Sequence, residues 1–367
     1  MSFPRSQAGR VLVVMPNWLG DLVMATPLLD VLHQARDNTG EPLSIYACVR
    51  RRWAPLLARD PRLTAVLPYE RTGRHLGVKG IGRLAASWRK ADVDSVILCP
   101  PSLRVGLVSA LAGIPQRIGY AAGGRRVLLT RALKAVKPRG AMHHSEELMA
   151  LGAAFLEECG WARGTVSPAV PSLPGLDHIL PTNTGEGPPM WILAPGATYG
   201  PAKTWPINRV AEFLELAVTG EQVRVAIVGD TATTEFVQQL QRATEHLGWR
   251  HDLPGEAGVI DMVGGTTLVD LAGLLRGAAA FLGNDSGVMH LSAALGVPTL
   301  GLFGSSSRAW TEPRGPRARA LVATGFDCQP CFRKTCNQPT FCLETLAGEA
   351  VLSALKELQQ AGEEVSP

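Results

Sequence analysis

Ala278-Ala279-Ala280-Phe281-Leu282-Gly283, then Asn284-Asp285-Ser286-Gly287-Val288-Met289-His290, then Leu291-Ser292-Ala293-Ala294-Leu295 is the stretch that decides the fold. It reads as an apolar strand, a tight polar turn and the start of a helix. A helix beginning there turns its unpaired N–H groups and positive dipole end toward the turn. That suits a phosphate or diphosphate. Ser286 and the N–H groups around Gly287 can hold phosphate oxygens, and Asp285 can accept hydrogen bonds from sugar hydroxyls. His290 shares a helix face with Ser286 and adds a donor or a positive charge. Asp285 or Ser286 would serve equally as a plain N-cap, with His290 as a packed helix residue.

The same alternation extends outward in both directions. Strands are expected at 191–194, 223–228 and 298–303, with helices at about 207–217, 234–246, 268–275 and 348–360. In the first half, Val11-Leu12-Val13-Val14-Met15 reads as a strand, as do 43–49 and 95–99. Helical spacing covers 22–35, with Pro27 in an early turn or at a kink, and also 105–111 and 148–159. Strands alternating with helices imply βαβ units on parallel sheets. Residues 164–189 break the pattern with Pro168, Pro171, Pro174, Pro181, Pro188, Pro189, Gly175, Gly185 and Gly187, and read as a linker. The expected organisation is an α/β chain with one Rossmann-like domain at 1–163, the linker at 164–189, a second such domain at 190–347, and a helix and tail at 348–367. Ligands would bind at the carboxyl ends of the strands, in a cleft between the domains.

A chain of 367 residues is long enough for two cores. No apolar run approaches the ~20 residues needed to span a bilayer. Residues 1–10 are polar and lead straight into a strand, so the expected location is the cytoplasm. Charge is divided unevenly. Residues 1–180 hold 23 Lys and Arg against 13 Asp and Glu, a net +10, and the remainder holds 13 against 19, a net −6. A basic half suggests contact with a polyanion, although solvated surface charge is the plainer alternative.

Three further features carry chemistry. Asn17-Trp18-Leu19-Gly20-Asp21 follows the first strand, placing a carboxylate at or near a helix start. There Asp21 can act as an N-cap or as a general base. Pro195-Gly196-Ala197-Thr198-Tyr199-Gly200-Pro201-Ala202-Lys203-Thr204-Trp205-Pro206 follows the first strand of the second half, with glycines, a hydroxyl and one lysine ahead of a helix that Pro206 can open. It is a candidate phosphate cradle without Walker A spacing, and the chain lacks a glycine fingerprint for dinucleotides after its first strand. Cys328-x2-Cys331-x4-Cys336-x5-Cys342 gathers four thiols, which can form a structural zinc site or remain reduced and unligated. Cys48, Cys99 and Cys159 read as core fillers.

Taken together, the segments from Val11 to Asp21, from Pro195 to Pro206, and Asn284-Asp285-Ser286-Gly287 with His290 resemble glycosyltransferase family 9, the lipopolysaccharide heptosyltransferases. The P-G-A-x-x-G-P-A-K-x-W-P form is nearest the branch that adds the second inner-core heptose. The resemblance implies a GT-B fold, with two Rossmann-like domains facing across a cleft. It implies ADP-L-glycero-D-manno-heptose as donor, held mainly by the C-terminal domain. It implies the heptosylated, Kdo-containing inner core of lipid A as acceptor, with peripheral contact at the inner face of the inner membrane and no nucleic acid. Asp21 matches the family's base, Lys203 its diphosphate-binding lysine, and Thr198 a hydroxyl near the phosphates. Asp285 matches a residue on the donor sugar, and Ser286, Gly287 and His290 match the phosphate-binding helix start. No metal would be required, and the cysteine cluster is not general to the family. Arg50, Arg51, Arg52, Arg104, Arg125 and Arg126 are candidates for acceptor contacts. Another acceptor or nucleotide sugar stays open, because acceptor choice lies in loops. A non-catalytic nucleotide-sugar binder is the alternative from another class, and it has no use for a carboxylate at Asp21. The missing glycine fingerprint counts against an NAD-dependent oxidoreductase.

Overall fold

Val11, Leu12, Val13 and Val14 are buried on both faces of β1 (Arg10–Val14), as expected of a central strand in a parallel sheet. The computed structural model describes residues 9–164, 169–182, 187–253 and 255–363. Pro168 and Gly185 of the expected linker, residues 1–8 of the leading segment and the last residues of the tail lie outside these. The chain divides into two units, Met1–Asp177 and His178–Pro367.

In the first unit β1 is followed by α1 (Leu19–Met24), α2 (Thr26–His33), β2 (Ser44–Arg50), β3 (Ala65–Tyr69), α3 (Gly77–Lys90) and β4 (Ser95–Leu98). Then come α4 (Leu103–Leu111), β5 (Gln116–Tyr120), β6 (Arg131–Leu133) and α5 (His144–Cys159). The sheet runs β3-β2-β1-β4-β5-β6, with every pairing parallel. Leu12, Val14, Val96 and Leu98 pack with Leu84 and Trp88 of α3 and Val105 and Val108 of α4.

The second unit contains β7 (Met190–Ala194), α6 (Ile207–Glu215), β8 (Arg224–Ile227), α7 (Thr234–Ala243), β9 (Gly258–Asp261) and α8 (Leu268–Arg276). It continues with β10 (Ala280–Asn284), α9 (Gly287–Ala294), β11 (Thr299–Phe303), α10 (Arg308–Thr311), β12 (Ala318–Val322) and α11 (Gly348–Glu363). Its sheet, β12-β11-β10-β7-β8-β9, is also wholly parallel. Val351 and Leu355 of α11 enter the same core as Trp205, Phe213 and Leu214, so the closing helix is part of this unit. Numbered within its own unit, each sheet has the doubly wound order 3-2-1-4-5-6. The strand order reverses between β1 and β4 in one unit and between β7 and β10 in the other. Ligands of such sheets bind beyond the strand ends at that reversal.

Several elements depart from the sequence expectation. The helix expected over 22–35 starts at Leu19 and breaks at Ala25. Pro27 lies in the first turn of α2, where its missing N–H costs little, and the Thr26 hydroxyl donates to the Val23 carbonyl across the break. The strands β3, β6, β9 and β12 are sheet edges or short and carry weak signals: β3 contains Pro68, tolerated because the strand is an edge. Pro206 is the residue before α6, not its first helical residue. Within the expected linker, Ala169, Leu173 and Leu176 are buried. Ser172 accepts from the buried Arg62 guanidinium, which also pairs with Asp60 at 2.6 Å and Asp30 at 2.8 Å. Residues 169–176 are thereby tied to the first unit, while the Thr182 N–H donates to Gly273 of the second at 2.9 Å.

Candidate active site

The reversal point of the second unit is formed by the ends of β7 and β10. Asn284, the last residue of β10, is buried. Its Oδ1 accepts from the Trp205 N–H at 3.1 Å and its Nδ2 donates to the Pro195 carbonyl. One amide thereby fixes both ends of the 195–205 loop. Asn284→Leu should leave two buried main-chain groups unpaired and lower unfolding stability by roughly 2–4 kcal/mol. Denaturant titration checks this, and a loss below about 0.5 kcal/mol would contradict the stapling role.

Asp285 follows and is only 8% exposed. Its Oδ2 accepts from Lys203 Nζ at 2.5 Å and from the Thr311 hydroxyl at 3.4 Å, while its Oδ1 lies 3.9 Å from His290 Nε2. A buried carboxylate needs such partners. Here they come from the loop after β7, from α9 and from α10. Ser286 is the N-cap residue of α9, in extended conformation, yet its side chain makes no cap bond. Its buried Oγ has no hydrogen-bond partner among the described residues. The first N–H groups of α9 likewise lack helical partners. Together they leave an anion-binding corner beside a fixed ammonium group.

Lys203 ends the loop in a short turn, Pro201–Lys203. Gly200 has φ +151°, and a Cβ there would come within 2.6 Å of the Lys334 carbonyl, so glycine is required. The Tyr199 ring lies 5.1 Å from Lys203 Nζ, and its hydroxyl donates to the Phe332 carbonyl at 2.6 Å. Thr198 is exposed on the same loop. The structure thus brings Lys203, Asp285, Ser286, Gly287 and His290 together. Sequence reasoning missed Asn284 and Thr311, and also Ser305, whose buried Oγ in the loop after β11 has no hydrogen-bond partner among the described residues. A run of small hydroxyl residues, Ser305-Ser306-Ser307, directly after a strand end was the available signal.

In the first unit, Asp21 lies in the first turn of α1, not at its N-cap, which is the exposed Trp18. A carboxylate there complements the helix dipole. The loop before it is held from two sides: Trp53 Nε1 donates to the Asn17 carbonyl at 3.0 Å, and the Tyr69 hydroxyl donates to Asn17 Oδ1. The Tyr69 hydroxyl is pushed above its ordinary pKa by burial. Of the six arginines, Arg51 pairs with Glu70, Arg52 stacks 4.2 Å over Trp53, and Arg104 donates to the His75 carbonyl. Arg50 is part-buried and Arg126 exposed. Arg125 differs from the expected ligand contact: it is fully buried and its guanidinium donates to the carbonyls of Leu98, Pro100 and Tyr120. Burial pushes its pKa down to about 10. It braces the loop at the end of β4 instead of facing solvent.

Cys328, Cys331, Cys336 and Cys342 line one pocket with Ala202, Ser305 and Phe341. Burial pushes the Cys342 thiol up, and the nearby Cys336 and Cys331 add to this. All four are free thiols, and among the described residues no three His, Cys, Asp or Glu side chains are gathered into a set that can hold a metal ion. The zinc set suggested by the spacing is therefore not assembled. The path of the cysteine segment is governed by main-chain bonds to the site: Phe332 N–H to the Ser305 carbonyl at 2.8 Å and Ala202 N–H to the Lys334 carbonyl at 2.9 Å.

Residues 81–341 match the family model described as glycosyltransferase family 9 (heptosyltransferase). The chain is 30% identical over 329 residues to lipopolysaccharide heptosyltransferase 2 of Escherichia coli K12, covering 86% of this chain and 89% of that protein. It is 33% identical over 168 residues to lipopolysaccharide heptosyltransferase 1 of Pseudomonas aeruginosa, covering 45% of this chain and 43% of that one. The solved structure of E. coli ADP-heptose LPS heptosyltransferase II superposes with a TM-score of 0.72 at 25% identity, over 96% of this chain and 99% of that one.

Proposed function

The chain belongs to glycosyltransferase family 9, and from that premise we propose that it transfers L-glycero-D-manno-heptose from ADP-heptose to the first heptose of the lipopolysaccharide inner core, with inversion. The observation that carries the donor half is the Lys203–Asp285 pair beside the unpartnered Ser286 hydroxyl at the start of α9. Lys203, Ser286, Thr198 and the N–H groups at Gly287 take the diphosphate, with His290 as a further donor. Asp285 holds Lys203 in place and offers its other oxygen edge to the donor sugar. Asp21 is the base. It removes the proton from the acceptor hydroxyl as that oxygen attacks the anomeric carbon and the bond to ADP breaks.

Charge that develops on the departing ADP needs preorganised donors. Lys203 and the helix start supply them, so no metal is required. Turnover in excess EDTA should stay within about twofold of the untreated rate; a fall beyond about tenfold that Mg²⁺ restores would contradict this. Unit 1, with its net positive charge, takes the phosphorylated acceptor, and Arg50, Arg51, Arg52, Arg104 and Arg126 are the candidate contacts. Arg125 instead braces the loop after β4. The enzyme would then work in the cytoplasm, in peripheral contact with the inner membrane. No described helix is long and apolar enough to cross a membrane. The test is ADP release from ADP-heptose with and without heptosylated lipid A core. Release that depends on the acceptor is expected, and release independent of it would overturn glycosyl transfer.

A further inference from the structure

Helix α4 buries Val105 and Val108 but turns three leucines outward. Leu103, Leu107 and Leu111 are 51%, 37% and 48% exposed. Spaced by four residues, they form one stripe about 12 Å long. In the turn at 125–128, Leu128 packs by the buried Gly106 of α4, and neighbouring Val127 is 86% exposed. An apolar strip of this kind on a chain surface is a docking feature.

The border of the stripe is basic. Arg89 of α3 donates to the Leu111 carbonyl at 2.5 Å, and Arg104 donates to the carbonyl of His75, just before α3. A guanidinium thus caps the Leu111 end of the stripe, Arg104 stands next to Leu103 at the other end, and α3 also carries Lys79 and Arg83 on exposed positions. Residues 95–145 contain eight Lys and Arg and no Asp or Glu. The nearest preceding carboxylates, Asp92 and Asp94, are engaged by Arg10: Asp92 at 2.7 Å through its side chain and Asp94 at 3.1 Å through its N–H. Arg125 of this segment is buried and Arg131 pairs with Glu157 at 3.6 Å and Glu158 at 3.8 Å, so the field comes from the remaining Lys and Arg. Apolar side chains framed by cations match an anionic bilayer, where headgroups meet the basic residues and leucines enter the acyl boundary. A second copy of the same face would set like charges against each other.

We propose that the leucine stripe of α4 and its basic border form the face by which this chain sits on an anionic lipid bilayer. The inference deepens the proposed function, resting on it for the reason a lipid surface is visited, but its test does not use turnover. The probe is co-sedimentation with vesicles of phosphatidylcholine alone or with about a third phosphatidylglycerol, at physiological salt. The unaltered chain should bind the anionic vesicles at least about tenfold more tightly. Leu103→Gln/Leu107→Gln/Leu111→Gln should lose at least about tenfold of that binding, with an unchanged melting curve and unchanged ADP affinity. Lys79→Glu/Arg83→Glu, which leaves the stripe intact, should lose most of the preference for anionic vesicles. Equal vesicle binding by the triple variant and the unaltered chain would overturn the proposal. So would a dimer, seen by light scattering, that the triple variant dissolves while vesicle binding persists; that would assign the stripe to a second copy. Loss of acceptor-dependent ADP release on a detergent-dispersed acceptor would instead count against glycosyl transfer and leave this face untouched.

Discussion

Asp21→Asn should lower turnover by about a thousandfold while ADP binding stays within about twofold of the unaltered enzyme. The substitution keeps the side chain's size and removes its negative charge, and with it the ability to take a proton. Asp21 stands in the first turn of α1 at the strand-order reversal of its sheet, just after a loop pinned by Trp53 and Tyr69. The competing account is that its carboxylate merely complements the helix dipole. That account predicts a stability loss of about 0.3–1 kcal/mol and near-normal turnover. Single-turnover kinetics together with calorimetric ADP titration separate the two. Near-normal turnover would remove Asp21 from the chemistry.

Lys203→Met should lower kcat/KM for ADP-heptose by roughly a hundred- to a thousandfold, the effect of removing one preorganised donor from a leaving group's charge. It should also destabilise the fold, because it strands the Asp285 carboxylate, whose side chain is 6% exposed. The loss should fall below the ~3–5 kcal/mol of a fully buried pair, since Lys203 remains partly solvated. Adding Asp285→Asn removes the stranded charge. The double variant should recover most of the stability and none of the activity. Recovery of activity along with stability would mean that the lysine is structural, and that the diphosphate is held elsewhere.

The strand–turn–helix passage at 278–295 was legible because each of its parts is local: an apolar run, a polar turn and helical spacing. Asp21 and Lys203 stood out for the same reason, as polar groups in the short segments that follow β1 and β7. What joins them to their surroundings was not legible. Lys203 and Asp285 are distant in sequence and meet only because β7 and β10 are neighbours. Asn284 looks like any turn residue until its amide is seen to staple Pro195 and Trp205. Arg125 reads as a candidate acceptor contact, and only the packing reveals a guanidinium given over to main-chain carbonyls. The cysteine spacing suggested a metal set, but thiol spacing says nothing of the main-chain bonds that direct the segment toward Tyr199, Ala202 and Ser305. Pro68 concealed β3, since a proline strand is acceptable only at an edge and edges are properties of the assembled sheet.

The proposed reaction is transfer of heptose onto an acceptor that already carries one. It is tested by offering ADP-heptose with Kdo₂-lipid A bearing no heptose, one heptose or two, and following the mass of the lipid product. A single heptose should be added to the singly heptosylated acceptor and none to the other two. Transfer to the heptose-free acceptor, with none to the singly heptosylated one, would contradict it and assign the chain to the first heptosyl step.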